Sequence, residues 1–224
     1  MKLFNLSGES ISKKKTLIFD IDGTLYTSDE YVREQVDVQI RHWADLTGMT
    51  HEEARKKIAD YRADYEIKTG KKISLGNTFP AFGIDIDTSI KWRNTLMNPK
   101  KYLKANPELK QALEKSASKF KMICVTNNPV DAAKKTLSVI GIEKILTQIV
   151  GLDSCKKSKP SKEMLFMALE KTNSKPEECI SIGDRYDIDI SLPLEMGMSG
   201  VLVNGAEDVV DFLNSLNSPK FEFL

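Results

Sequence analysis

The chain has 224 residues, 33 basic against 32 acidic side chains and a formal net charge of +1, without the basic excess of a nucleic-acid surface. No apolar stretch reaches membrane-spanning length, Met1–Glu9 lacks the apolar run of a signal peptide, and three cysteines imply no disulfide framework. The expectation is a cytoplasmic protein with no nucleic-acid and no membrane partner, long enough for one sizeable core and a smaller accessory unit.

Lys13-Lys14-Lys15 reads as a solvated lead-in to the first predicted strand, Thr16-Leu17-Ile18-Phe19, a short apolar and partly β-branched run. Directly after it comes Asp20-Ile21-Asp22-Gly23-Thr24-Leu25. Two carboxylates spaced i, i+2 at a strand end are costly beside a core unless a metal or donors meet them. Gly23 lets the backbone turn and brings its amides close to an anion, although Asp and Gly also dominate ordinary turns.

About a hundred residues then separate Asp20 from Thr126, too many for a loop. Val32, Val36, Ile40 and Trp43 recur on one predicted helical face, as do Ala54, Ile58, Tyr61 and Tyr65 on another. Thr50 with Glu53 has capping-box spacing, and His42 and His51 on these helices read as packing or surface residues. Leu75–Gly83 mixes flexible, polar and aromatic residues, which suits either a pocket lining or an interhelical connection.

Met122-Ile123-Cys124-Val125 predicts a second buried strand ending at Thr126. Asn128 and Pro129 read as N-cap and first position of a helix through Val130, Ala133, Leu137 and Ile140, ended by Gly141. A lysine-rich loop, Lys156-Lys157-Ser158-Lys159-Pro160, precedes the helical pattern Met164, Leu165, Ala168, Leu169. Ile180–Ile182 is a third strand, followed by Gly183-Asp184-Arg185-Tyr186-Asp187-Ile188-Asp189. Val201–Val203 is a further strand, and Val209, Val210, Leu213 and Leu216 mark a last helix. Cys124 and Cys179 fall in strands as buried thiols, while Cys155 lies in the lysine loop.

The hexapeptide from Asp20 to Leu25 resembles motif one of the haloacid dehalogenase superfamily, a group of mostly Mg²⁺-dependent phosphohydrolases. That resemblance implies three more signals in fixed order, each at the end of a parallel strand. Thr126, with the amide of Asn127, stands where the second motif places a phosphate-binding hydroxyl. Lys159 fits the third better than Lys156 or Lys157 because it precedes Pro160 and a helix. Asp184 stands as the metal-ligating acid of the fourth, with Asp189 as supporting acid and Asp187 as its alternative.

Strands alternating with helices imply an α/β fold, a doubly wound (Rossmann-like) parallel sheet with ligands at the carboxyl ends of its strands. The resemblance adds a catalytic core over 1–25 and 106–224 with a small helical cap over 26–105, which in the family closes over the site and contacts the substrate beyond its phosphate. Asp20-Ile21-Asp22, Thr24-Leu25-Tyr26, Asn98–Leu103 and Pro107-Glu108-Leu109 look somewhat like the pyrimidine 5′-nucleotidase group, whereas Gly23 stands where that group often has Asn and Gly183-Asp184-Arg185-Tyr186 follows the general phosphatase pattern.

The implied chemistry is hydrolysis of a small phosphorylated metabolite, such as a nucleotide or sugar phosphate. Asp20 would be the nucleophile that forms an aspartyl-phosphate, and Asp22 the general acid and base. Mg²⁺ would be held by Asp20, Asp184 and the Asp22 carbonyl, since hard oxygens suit it. Gly23, Thr24, Thr126, Asn127 and Lys159 would hold the phosphoryl oxygens. A phosphosugar mutase would use the same intermediate, and a non-catalytic binding protein would be expected to lack one of the two acids.

Overall fold

The computed structural model describes residues 1–7, 11–70 and 72–218; the reading of Gly8 and Glu9 in the amino-terminal stretch lies outside them. The strands are β1 (Lys2–Phe4), β2 (Thr16–Phe19), β3 (Lys121–Val125), β4 (Ile149–Val150), β5 (Cys179–Gly183) and β6 (Ser199–Leu202). They form one sheet in the order β1-β6-β5-β2-β3-β4. Central β2 runs parallel to both neighbours, with Ile18 opposite Ile123 of β3 and Ser181 of β5. All four of its residues are buried, so it reads as a continuous apolar run instead of an alternation.

The sheet is parallel as expected except at one edge strand. β1 pairs antiparallel with β6, Leu3 opposite Val201, at one edge of the sheet. Three residues carry too little periodicity to announce a strand, and its partner lies near the other end of the chain. The lead-in lysines are also more engaged than expected. Lys14 Nζ donates to the Glu177 carbonyl at 2.8 Å, and Lys15 pairs with Glu178 just before β5.

Ile18, Ile123, Val125 and Val150 share a core with Met164, Leu165, Ala168 and Leu169 of the helix Lys162–Thr172. Residues of the other parity, including Leu17, Phe19, Cys124, Ile180 and Ile182, are also fully buried and point to the opposite face by the two-residue period. The helices Pro107–Ala117 and Ala206–Asn217 pack on one another, burying Leu109, Leu113, Phe212 and Leu213.

Contacts divide the chain into two compact units, Met1–Asp29 with Pro99–Leu224, and Glu30–Asn98. These limits differ from 25/26 and 105/106. Tyr26 pairs back to Asp22 across an isolated bridge, and the turn Pro99–Lys101 packs on the helix Val130–Ile140, so both flanks belong with the sheet-bearing unit.

The second unit is helical, with Asp29–Thr47, His51–Thr69 and Ile86–Leu96 as its long elements. Thr50 and Glu53 form the capping box that opens the middle one. Its core contains Ile40, Trp43, Ala44, Ala54, Ile58, Leu75, Phe79, Ile84 and Trp92. Val32 and Val36 are not on the buried stripe: they are 39% and 37% exposed, and Tyr31, Gln35 and Gln39 are buried in their place. Gln39 is tolerated there because Ser89 Oγ and Arg93 Nε donate to its Oε1 at 3.2 and 3.3 Å. His42 meets Trp92 edge-on at 5.0 Å, and His51 Nε2 lies 2.9 Å from Asp45 Oδ1. Leu75–Thr78 is a short helix continued by a 3₁₀ turn over Phe79–Phe82, and Phe79 is fully buried. The aromatic stretch therefore packs this unit's own core.

Candidate active site

β2 delivers Asp20 to the carboxyl edge of the sheet, where its N–H donates to the Ile182 carbonyl of β5 at 2.9 Å. The chain then turns through Gly23 at φ +80°, a left-handed conformation that suits glycine. A Cβ at Gly23 would meet Asp184 Oδ2 at 2.7 Å, so the turn also has to be bare to admit the neighbouring acid. Thr24, fully buried, places Oγ1 3.5 Å from Asp20 Oδ2.

Lys159 reaches the same point from 139 residues away, and its Nζ donates to Asp20 Oδ1. At 2.7 Å it also donates to Asp189 Oδ1, with the ammonium side chain 7% exposed and both carboxylates 2%. Lys157 turns outward to Glu163 at 2.8 Å, and Lys156 ends the short helix Leu152–Cys155. Asn127 Oδ1 accepts the Lys159 N–H at 2.6 Å, tying the lysine loop to the end of β3. Thr126 is buried, and its Oγ1 accepts the Asn128 N–H at 3.1 Å.

After β5, Asp184 leads into a π-turn over Tyr186–Ile190 that carries Asp189 back toward Asp20. Ser181 Oγ donates to the Asp189 carbonyl at 2.7 Å, and the Arg185 N–H donates to Asp189 Oδ2 at 3.1 Å. A Cβ at Gly183 would lie 2.3 Å from Asp189 Cβ, so Gly183 makes room for that return. Asp187 is exposed.

The profile of the haloacid dehalogenase-like hydrolases matches residues 14–197. The chain belongs to that family. A pyrophosphatase PpaX of Listeria monocytogenes is 26% identical over 203 residues, 89% of each chain. A phosphoglycolate phosphatase of Aquifex aeolicus is 32% identical over 111 residues, 49% of this chain and 52% of its own. Among solved structures, a haloacid dehalogenase-type phosphatase from Thermococcus onnurineus superposes with a TM-score of 0.62 at 20% identity, covering 84% of this chain and 86% of that one. At that identity the likeness speaks for the fold.

In this hydrolase, oxygens of Asp20, Asp184 and Asp189 all lie within 4.8 Å of one another. Asp184 Oδ1 is buried and accepts no hydrogen bond from the described residues. Arg185 Nε pairs with that oxygen at 3.6 Å, too far for a hydrogen bond, and a buried carboxylate oxygen without a hydrogen bond, beside two more carboxylates, fits a hard divalent cation such as Mg²⁺. The Asp22 carboxylate is not part of that group. Tyr26 Oη donates to its Oδ1 at 2.6 Å and Asn128 Nδ2 to its Oδ2 at 2.8 Å.

Electrostatics follow burial and neighbours. Burial pushes the Asp20 carboxyl up to about 7, opposed by Lys159 and reinforced by Asp189 and Asp22. Burial alone would lower the Lys159 ammonium, but Asp189 and Asp20 outweigh it and hold it at about 12. Asp184 is likewise raised by burial, against the pull of Arg185.

Asn128 was expected to cap the helix after β3. The cap is instead Pro129, the helix runs Val130–Ile140, and Asn128 turns to Asp22. Tyr26 and Asn128 carry no sequence signal for this contact beyond the i, i+4 spacing of Tyr26 from Asp22.

Proposed function

We propose that this hydrolase is a Mg²⁺-dependent phosphatase of small phosphorylated metabolites that works through an aspartyl-phosphate on Asp20. The observation that carries the reading is the meeting of Asp20, Lys159, Asp184 and Asp189 at the carboxyl edge of the sheet. Asp20, Asp184 and the Asp22 carbonyl would hold the Mg²⁺, which when bound offsets negative charge on the phosphoryl group. Lys159 keeps its proton far above neutral pH and supplies a fixed cation beside the nucleophile. Thr24 orients the Asp20 carboxylate, and Asp189 holds the ammonium in place.

One Asp20 oxygen bonds to phosphorus as the bond to the leaving oxygen breaks. Asp22 protonates that oxygen, then takes a proton from the water that displaces Asp20 from phosphorus. The Thr126 hydroxyl and the amides of Gly23, Thr24 and Asn127 bind the phosphoryl oxygens. The helical unit is assigned the role of cap and selector among substrates, on the family pattern of helices inserted between the first two motifs. The relative that spans most of the chain is named a pyrophosphatase, which puts inorganic pyrophosphate beside phosphate monoesters as a first substrate to test. No described helix is long and apolar enough to cross a membrane.

The test is a panel of phosphate esters and pyrophosphate with and without Mg²⁺, measuring inorganic phosphate. Asp20→Asn should keep its fold and lose nearly all turnover, and acid-quenched wild-type enzyme should retain labelled phosphate that the variant lacks. A folded Asp20→Asn protein with near wild-type turnover would refute the mechanism. Isomerised phosphosugar without phosphate release would assign a mutase instead.

A further inference from the structure

Asp22 is gripped at both oxygens by neutral donors. The two bonds, 2.6 Å from Tyr26 and 2.8 Å from Asn128, come from side chains only 4% and 6% exposed. Tyr26 arrives through the left-handed turn at Gly23, which brings residues 22 and 26 side by side. Asn128 comes from the end of β3, 106 residues farther along the chain. Neither contact involves the acidic group of Asp20, Asp184 and Asp189.

We propose that Tyr26 and Asn128 are positioning residues for Asp22, holding its carboxyl where it protonates the leaving oxygen. The inference rests on the acid–base role given to Asp22 above. An amide N–H can only donate, so the oxygen facing Asn128 stays an acceptor in both protonation states. A phenol rotates about its C–O bond and can give up its donor bond when the facing oxygen gains a proton.

In the first step the Asp20–phosphorus bond forms and the bond from phosphorus to the leaving oxygen breaks. The leaving oxygen takes the Asp22 proton, and Tyr26 and Asn128 donate to the new carboxylate. In the second step a water oxygen bonds to phosphorus, its proton passes to Asp22, and Asp20 departs as a carboxylate with release of phosphate. If Tyr26 and Asn128 only tied two loops together, their loss would slow every substrate alike. If they aim the acid, the loss should grow with the basicity of the leaving group, because a poor leaving group depends most on the proton.

The experiment compares kcat/KM for 4-nitrophenyl phosphate and phenyl phosphate at saturating Mg²⁺ in wild type, Tyr26→Phe, Asn128→Ala and Asp22→Asn. Tyr26→Phe keeps the ring, and its melting temperature verifies the fold. The expected result for Tyr26→Phe and Asn128→Ala is a fall of about 10–100-fold on phenyl phosphate and only about 3-fold on the nitrophenyl ester. The apparent Mg²⁺ affinity should stay unchanged. Asp22→Asn should show the same bias more strongly. Equal losses on both esters in Tyr26→Phe, or none, while Asp22→Asn shows the bias, overturns the positioning role alone. Absence of the bias in Asp22→Asn overturns the acid role beneath it. Should Asn128→Ala fail to fold, Tyr26→Phe decides the matter.

Discussion

Replacing Lys159 by Met leaves a stem of similar shape and removes the ammonium between two buried carboxylates. Lys159 Nζ bonds both Asp20 and Asp189, and the two carboxylate side chains are each only 2% exposed. Removing one partner of such a cluster leaves uncompensated buried charge and costs about 3–5 kcal/mol. For a chain of this size that corresponds to a fall in melting temperature of roughly 6–20 °C. Lys157→Met is the internal control: its pair with Glu163 has side chains 57% and 53% exposed, and exposed pairs contribute at most about 1 kcal/mol.

The sign with pH follows from the direction of the Lys159 shift. Its folded pKa, about 12, lies above the ordinary 10.5, so its stabilisation is fully present below about 10.5 and is lost as pH rises through about 12. Across pH 6–9 the Lys159 ammonium itself stays charged, while Asp20, raised to about 7 by burial, takes up a proton toward the acid end of that range and weakens the pair there. The Lys159→Met deficit should shrink toward acid pH, as the orphaned carboxylates take up protons. Calorimetry or urea unfolding of the metal-free proteins at several pH values makes the measurement, and added Mg²⁺ should restore part of the loss. A Lys159→Met melting temperature within about 2 °C of wild type, or no larger a shift than Lys157→Met, would refute the reasoning.

Gly23→Ala places a methyl 2.7 Å from Asp184 Oδ2 and forces a left-handed φ of +80° on an L-residue. The backbone cost is about 1–2 kcal/mol, and displacement of Asp184 should weaken Mg²⁺ activation about 10–100-fold, as Asp184→Ala should. A Mg²⁺ titration of phosphatase activity reads this, and an unchanged half-saturation would remove Asp184 from the metal site. Phe79→Ala empties a fully buried ring site edge-on to Trp92 and should destabilise the helical unit by about 3–5 kcal/mol. Hydrogen exchange should accelerate within residues 30–98; unchanged protection there would place Phe79 outside that core.

The chain's local chemistry determined the strands and what stands at their ends. Thr16–Phe19, Met122–Val125 and Ile180–Ile182 are buried, and an apolar run bounded by Asp, Thr or Gly announces itself within a few residues. The capping box at Thr50 and Glu53 was legible for the same reason, since both partners lie within one helical turn. The edge strand Lys2–Phe4 was not, because its pairing with Ser199–Leu202 is a long-range contact with no local period. Nor was the burial of Gln35 and Gln39 in place of Val32 and Val36; for Gln39 it depends on donors arriving from Ser89 and Arg93. Asn128 looked like a cap because Asn before Pro is locally suited to one; folding instead turned it toward Asp22, a partner 106 residues away. Lys159 could be singled out among three lysines by its place before Pro160, but only the sheet brings its ammonium between Asp20 and Asp189. Burial there, not residue type, turns three ordinary charges into one coupled cluster, and burial is a property of the folded chain.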